Sequence, residues 1–281
     1  MKNIILPTDF SSNAYNAIEY ALQLFKDEEC TFYIVNTIIP GSYNIPAVDD
    51  GPSNIVVEKV IKQNAENKLL DIEQKITTKF NNAKHTFQLI VSINILSSEI
   101  KTLIKDRAID LIVMGTKGAT GAQEVFLGTN TMHTIKKSSC AVIAVPQDFT
   151  FEKPKEILFT TDFKFSMENR YLSLLRLFCS KHSSRLNVLN VYSGKSLEPT
   201  QENLKKQLAA YFKNNSYLFH ELEYMDVSEA VAYFQIKHKI NFMVMINNKH
   251  SFFENLMFKS VIQEIVYHTN VPLLVIPSIE F

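Results

Sequence analysis

The run Asp110-Leu-Ile-Val-Met-Gly-Thr-Lys-Gly118 joins four apolar residues to a segment rich in glycine and hydroxyls, which continues through Gly121 to Gly128-Thr129. It reads as a buried strand that ends in a loop and feeds a helix, the unit of a parallel sheet covered on both faces. The chain has seven glycines in 281 residues, and four of them fall between Gly115 and Gly128. Glycine gathered at one strand end answers a need for close backbone approach, or for positive φ. Bare N–H groups converging there, with a helix N-terminus behind them, suit an anion such as a phosphate.

Upstream of this run the same alternation repeats. Ile4–Pro7 reads as a strand and Asn13–Phe25 as a helix, with Ala14, Ala17, Ile18, Ala21, Leu22 and Phe25 on one face. Thr31–Asn36 is a second strand, Pro40 to Ser53 a loop, and Asn54 to Phe80 a long helix. Thr86–Val91 is a third strand. Leu96–Arg107 is a helix with Ser97 and Ser98 as cap candidates. A helix after Gly128 and a fifth strand closing at Pro146 complete the half.

The second half repeats the first. Asn3-Ile-Ile-Leu-Pro-Thr-Asp9-Phe10 recurs as Glu156-Ile-Leu-Phe-Thr-Thr-Asp162-Phe163, and Val113–Pro146 superposes without a gap on Val244–Pro277. Duplication is the simplest account. The polar stretch Gln147–Lys155 divides the chain into domains at 1–147 and 155–281. The fold class expected is α/β: two tandem doubly wound domains, each a five-stranded parallel sheet of order 3-2-1-4-5. The second has a shorter connection between its strand two and its long helix.

Composition narrows the function. Lys+Arg and Asp+Glu each total 29, so the balance argues against a partner held by charge, such as nucleic acid. No apolar run reaches the ~18 residues of a membrane span. The start Met1-Lys-Asn-Ile-Ile-Leu-Pro-Thr-Asp9 reads as a strand rather than a leader. Three scattered cysteines, Cys30, Cys140 and Cys179, suit buried thiols in a reducing compartment, so the cytoplasm is expected.

In a doubly wound sheet the ligand binds outside the carboxyl ends of the strands where their order reverses. For order 3-2-1-4-5 that point lies between strand one, ending at Thr8-Asp9, and strand four, ending at Met114-Gly115. Asp9 can accept hydrogen bonds from ribose hydroxyls or an amine. Gly115 and Gly118 let the backbone approach phosphates, and Gly128 and Thr129 offer N–H groups and a hydroxyl. The glycine spacing is neither a Walker loop nor Gly-x-Gly-x-x-Gly. It is Gly-x2-Gly-x9-Gly-Thr, at Gly115, Gly118, Gly128 and Thr129.

With Pro7-Thr8-Asp9-Phe10-Ser11 and Val142-Ile-Ala-Val-Pro146, this spacing resembles the universal stress protein family, strongly in the first half and more weakly in the second. The resemblance implies an ATP-binding α/β fold. Asp9 and Thr37 would meet the adenosine and the glycine loop would hold the phosphates. The site it implies comprises Pro7, Thr8, Asp9, Thr37, Met114, Gly115, Thr116, Gly118, Gly128, Thr129 and Asn130, taking ATP with or without Mg²⁺. It also implies domains that pair through their last strands. A tandem chain can make that pair within itself as a pseudo-dimer, with a further homodimer open.

The second half departs from the motif. Asp162 remains, but Ile246, Lys249 and Lys259 stand at the positions of Gly115, Gly118 and Gly128, and Ser260 at Thr129. One nucleotide site per chain is therefore expected, in the first half. Plainer readings stand beside these. Asp9 and Asp162 could cap the helices that follow, and Lys117 is a solvated loop lysine. Lys136, Lys137, Lys105 and Arg107 are scattered helix-end charges. The seven histidines have no metal-ligand spacing. A regulatory binding module is favoured. The alternatives are an adenine-nucleotide-dependent enzyme, for which Glu124 and His133 are the candidate groups, and a nucleotide-free scaffold.

Overall fold

The computed structural model describes residues 1–39, 54–116, 128–192, 196–223, 227–247 and 270–278. In the first half, β1 (Lys2–Pro7), β2 (Cys30–Ile38), β3 (His85–Ile93), β4 (Leu111–Gly115) and β5 (Val142–Val145) alternate with four helices. These are α1 (Ser12–Leu24), α2 (Asn54–Phe80), α3 (Leu96–Arg107) and α4 (Thr129–Lys137). In the second half, β6 (Glu156–Thr160), α5 (Leu172–His182), β7 (Arg185–Tyr192), α6 (Pro199–Tyr211) and β8 (Ser216–Glu223) precede α7 (Val227–His238), β9 (Phe242–Asn247) and β10 (Leu273–Pro277).

The strands form one ten-stranded sheet in the order β3-β2-β1-β4-β5-β10-β9-β6-β7-β8. Each half thus contributes strands in its own order 3-2-1-4-5, parallel throughout. The halves join where β5 and β10 run antiparallel, with Leu274 opposite Ile143. The gap-free superposition survives in the register. Gly115 lies opposite Val145 in the first half, and Ile246 opposite Ile276 in the second.

Continuous apolar strands bury both faces of the sheet. Ile4, Ile5 and Leu6 of β1 and Ile157, Leu158 and Phe159 of β6 are fully buried. The apolar stripe of α1 closes one face, with Ala17, Ile18, Ala21, Leu22 and Phe25 all buried. The halves also touch through side chains. The rings of Phe25 and Phe178 lie 5.9 Å apart. Lys181 Nζ sits 3.2 Å from both Glu28 Oε1 and the Leu24 carbonyl. The connecting stretch is tied down as well: Asn16 Nδ2 donates to the carbonyls of Pro146, Gln147 and Phe149, and Tyr20 meets the rings of Phe149 and Phe151 edge-on.

Three features depart from the sequence reading. The second half's helix after strand one does not begin near Asp162 but at Leu172. The intervening backbone N–H groups are taken by side chains instead: Phe163 by Thr161 Oγ1, Lys164 by Asp162 Oδ1, Glu168 by Ser166 Oγ and Tyr171 by Asn169 Oδ1. Such local bonds compete with helix formation. The counterpart of α2 is α6, with 13 residues against 27. Ser97 and Ser98 do not cap α3, whose N-cap is Ile95 with no side-chain bond. Cys30, Cys140 and Cys179 are free and buried, and burial pushes their thiols up to about 11, 11 and 12. Among the described residues no helix is long and apolar enough to cross a membrane.

Candidate functional site

β1 hydrogen-bonds to β2 on one side and β4 on the other. The chain order reverses there, so a crevice opens at the carboxyl ends of β1 and β4. A cleft of about 320 Å³ lies at this point. Pro7, Thr8, Asp9, Thr37, Met114, Gly115, Gly128, Thr129 and Asn130 all line it. Thr116 is buried behind the lining, its N–H on the Val145 carbonyl and its own carbonyl receiving the Gly128 N–H. Gly118, Lys117, Glu124, Lys249, Lys259 and Ser260 lie outside the described residues. His133 is exposed on α4 and does not line the cleft.

The strand-one side is built by a local network. Thr8 Oγ1 accepts from the Phe10 N–H at 3.0 Å, and Asp9 Oδ1 accepts from the Ser11 N–H at 3.0 Å. These bonds hold Phe10 at φ 67°, a left-handed conformation few bulky residues adopt. Ser11, not Asp9, caps α1, its hydroxyl accepting from the Ala14 N–H at 3.2 Å. Asp9 is thereby left exposed at the cleft mouth. From β2, Asn36 Nδ2 donates to the Thr8 carbonyl at 2.8 Å and fixes the floor.

The opposite wall is the start of α4. Its N-cap, Gly128, has φ −58° and offers no side chain to the helix end. The first-turn N–H groups of α4 therefore have no side-chain cap where Thr129, Asn130 and Thr131 line the cleft. Thr131 Oγ1 donates to the Gly115 carbonyl at 2.7 Å and fastens the helix start to the end of β4. No lysine or arginine is among the lining residues described. An anion here would meet N–H groups, hydroxyls and a helix dipole rather than a cation.

Gly115 has a nearer reason to be glycine than any ligand. A Cβ at this position would lie 2.8 Å from Asn13 Cγ and Oδ1. Asn13, in the first turn of α1, is buried and fills that space. Neither Gly115 nor Gly128 has positive φ, so at Gly115 close approach to Asn13 is what the missing side chain serves.

Asn13, Asn36 and Thr131 were not singled out from the sequence. Asn36 had a signal in the repeat: Asn190 stands at the same place in the second half, donating to the Thr161 carbonyl at 2.8 Å. Thr131 and Asn13 had none, since their roles depend on contacts across the fold.

A model of the universal stress protein family matches residues 1–146. The chain belongs to the universal stress protein family. Two universal stress proteins of Methanocaldococcus jannaschii are each 27% identical to it. One aligns over 156 residues, 55% of this chain and 84% of that protein. The other aligns over 157 residues, 51% and 94% respectively. A universal stress protein structure from Archaeoglobus fulgidus superposes on 98% of this chain and 96% of its own, with a TM-score of 0.69 at 14% identity. It bears on the fold of both halves together.

Within this universal stress protein the second half keeps the strand-one network and changes what faces it. Phe163, at φ 55°, repeats Phe10. Asp162 Oδ1 accepts from the Lys164 N–H as Asp9 does from Ser11. Asp162 thus holds a turn and caps no helix. Val191 follows Asn190 where Thr37 follows Asn36, so a hydroxyl is lost. Gln201 of α6 reaches the Asp162 carbonyl at 2.6 Å, so a side chain of the domain's own lies at the end of strand one.

Proposed function

We propose that the first half binds ATP in the cleft between β1 and β4 and that the protein acts as a nucleotide-dependent regulatory module of its family. The observation that carries this is the uncapped start of α4 at Thr129-Asn130-Thr131, facing the exposed carboxylate of Asp9 across one cleft. A helix end without a side-chain cap favours phosphate, and a carboxylate favours hydroxyl or amine donors. Both line one space of about 320 Å³, within the usual ~300–1,000 Å³ of small-molecule sites. In this reading Thr37 and Asp9 meet the adenosine, Gly115 and Met114 form the floor, and Gly128, Thr129 and Asn130 receive the phosphates. Among the described residues no three acidic, histidine or cysteine groups gather to hold a metal. A Mg²⁺ ion would come with the triphosphate, whose charge it neutralises. The pairing of β5 with β10 makes the two halves one continuous sheet, through which occupancy of the cleft could bias the packing of the halves or of a further copy.

The test compares the two equivalent aspartates. Asp9→Ala removes a charged acceptor from the cleft and is expected to weaken ATP binding by about tenfold to a hundredfold. Asp162→Ala removes the same turn bond in the second half and is expected to leave ATP affinity unchanged. Equal effects in a titration of both variants would contradict the assignment.

A further inference from the structure

A second cavity, of about 390 Å³, lies between α3 and α4. α3 contributes Ser97, Ser98, Ile100, Lys101 and Ile104, and α4 with the residues after it contributes Thr134, Lys137, Ser138 and Ser139. Ile100 is buried and Ile104 half-buried, giving the groove an apolar floor. Lys101 of α3 and Lys137 of α4 line it as well, and both are exposed. Neither is ion-paired among the described residues. The acid of α3's first turn, Glu99, turns away to Ser92 Oγ and Asn94 Nδ2. The hydroxyls of Ser97, Ser98 and Ser139 make no hydrogen bond to a described residue, whereas those of Thr134 and Ser138 are spent on the carbonyls of Asn130 and Cys140.

We infer that this groove is a second binding site, for a phosphate monoester carrying an apolar body. Two ammonium groups and three hydroxyls, without partners among the described residues and on facing segments, match the charge and acceptor-rich surface of a phosphate dianion. Ile100 and Ile104 and a volume of about 390 Å³ leave room for an apolar group beside it. This gives a role to Ser97 and Ser98, which do not cap α3, and to Lys137, one of the helix-end charges. The site is independent of the ATP reading and shares no lining residue with that cleft. It nonetheless uses the same two helices, since Leu96 and Thr131 line the first cleft.

Isothermal titration of the full chain with phenyl phosphate tests the inference. The unaltered protein is expected to bind saturably, and Lys101→Ala with Lys137→Ala to weaken binding by about tenfold or more. Both lysines are exposed, so the double variant should keep its thermal midpoint. If it does not fold, Lys101→Gln and Lys137→Gln singly are each expected to weaken binding severalfold. Inorganic phosphate separates the possible sources. Weaker binding than phenyl phosphate marks an ester whose body uses the isoleucine floor, and equal binding marks free phosphate at the same anion site. Absence of saturable binding up to millimolar phenyl phosphate, or unchanged affinity in folded lysine variants, overturns the inference.

Discussion

Asn13 and the missing side chain of Gly115 share one space. Replacing Gly115 with alanine puts a Cβ at 2.8 Å from the Asn13 carboxamide, which is buried and has little room to withdraw. Overpacking of this kind costs about 1–3 kcal/mol. Gly115→Ala is therefore expected to lower the denaturant midpoint, and Asn13→Ala in the same chain to recover part of the loss. Additive losses in the double variant would contradict the contact. The sequence made Gly115 conspicuous but not its reason, because Asn13 lies about a hundred residues earlier and meets it only through the packing of α1 on β4. Asp9 was legible at the strand end that lines the cleft, yet its local work was not. The sequence offered Asp9 as a helix cap, and only the fold tells that Ser11 caps the helix while Asp9 holds a turn.

The element on which the site depends most is α4. It is short, nine residues, and its start hangs on the Thr131 hydroxyl bonded to the Gly115 carbonyl. Thr131→Val keeps the shape and removes the donor, leaving a buried carbonyl without it. A cost of about 1–3 kcal/mol is expected in urea unfolding. An unchanged midpoint would mean that α4 is anchored elsewhere. Element types were largely readable, since apolar runs and 3.6-residue stripes are long in this chain, and α2 and α3 fall where the pattern puts them. The start of α5 was not. The stretch after Asp162 carries a helical-looking composition, but Thr161, Asp162, Ser166 and Asn169 give its backbone N–H groups other partners. Local side-chain competition of this sort leaves little trace in hydrophobic periodicity.

At the scale of the molecule, two sheets have become one, and the contacts that lock the halves are charged as well as apolar. His182 of α5 is buried beside Phe178, and its Nε2 has no hydrogen-bond partner among the described residues. Burial, and then the nearby charges of Lys181, Lys153 and Lys155, push it down to about 4, with Asp27 opposing. The neutral ring is favoured in the folded state and the unfolded chain takes the proton first. Its contribution to stability is thus intact above the unfolded value of ~6.5 and is lost as pH falls towards 4. His182→Gln is expected to flatten the fall in stability between pH 7 and pH 5, by about 2 kcal/mol at pH 5. Parallel pH curves for variant and parent would contradict this. Duplication was legible from Thr-Asp-Phe at both strand-one ends, and the strand order followed from it. The difference between the two strand-one ends was legible only in part, since the glycines set the first half apart whereas the Gln201 bond to the Asp162 carbonyl emerges only in the fold. The most direct test of the central claim is native mass spectrometry of the full chain titrated with ATP. The account expects one ATP per chain, bound about tenfold to a hundredfold more weakly in Asp9→Ala and unchanged in Asp162→Ala; two equivalent ATP molecules per chain, or none, would contradict it.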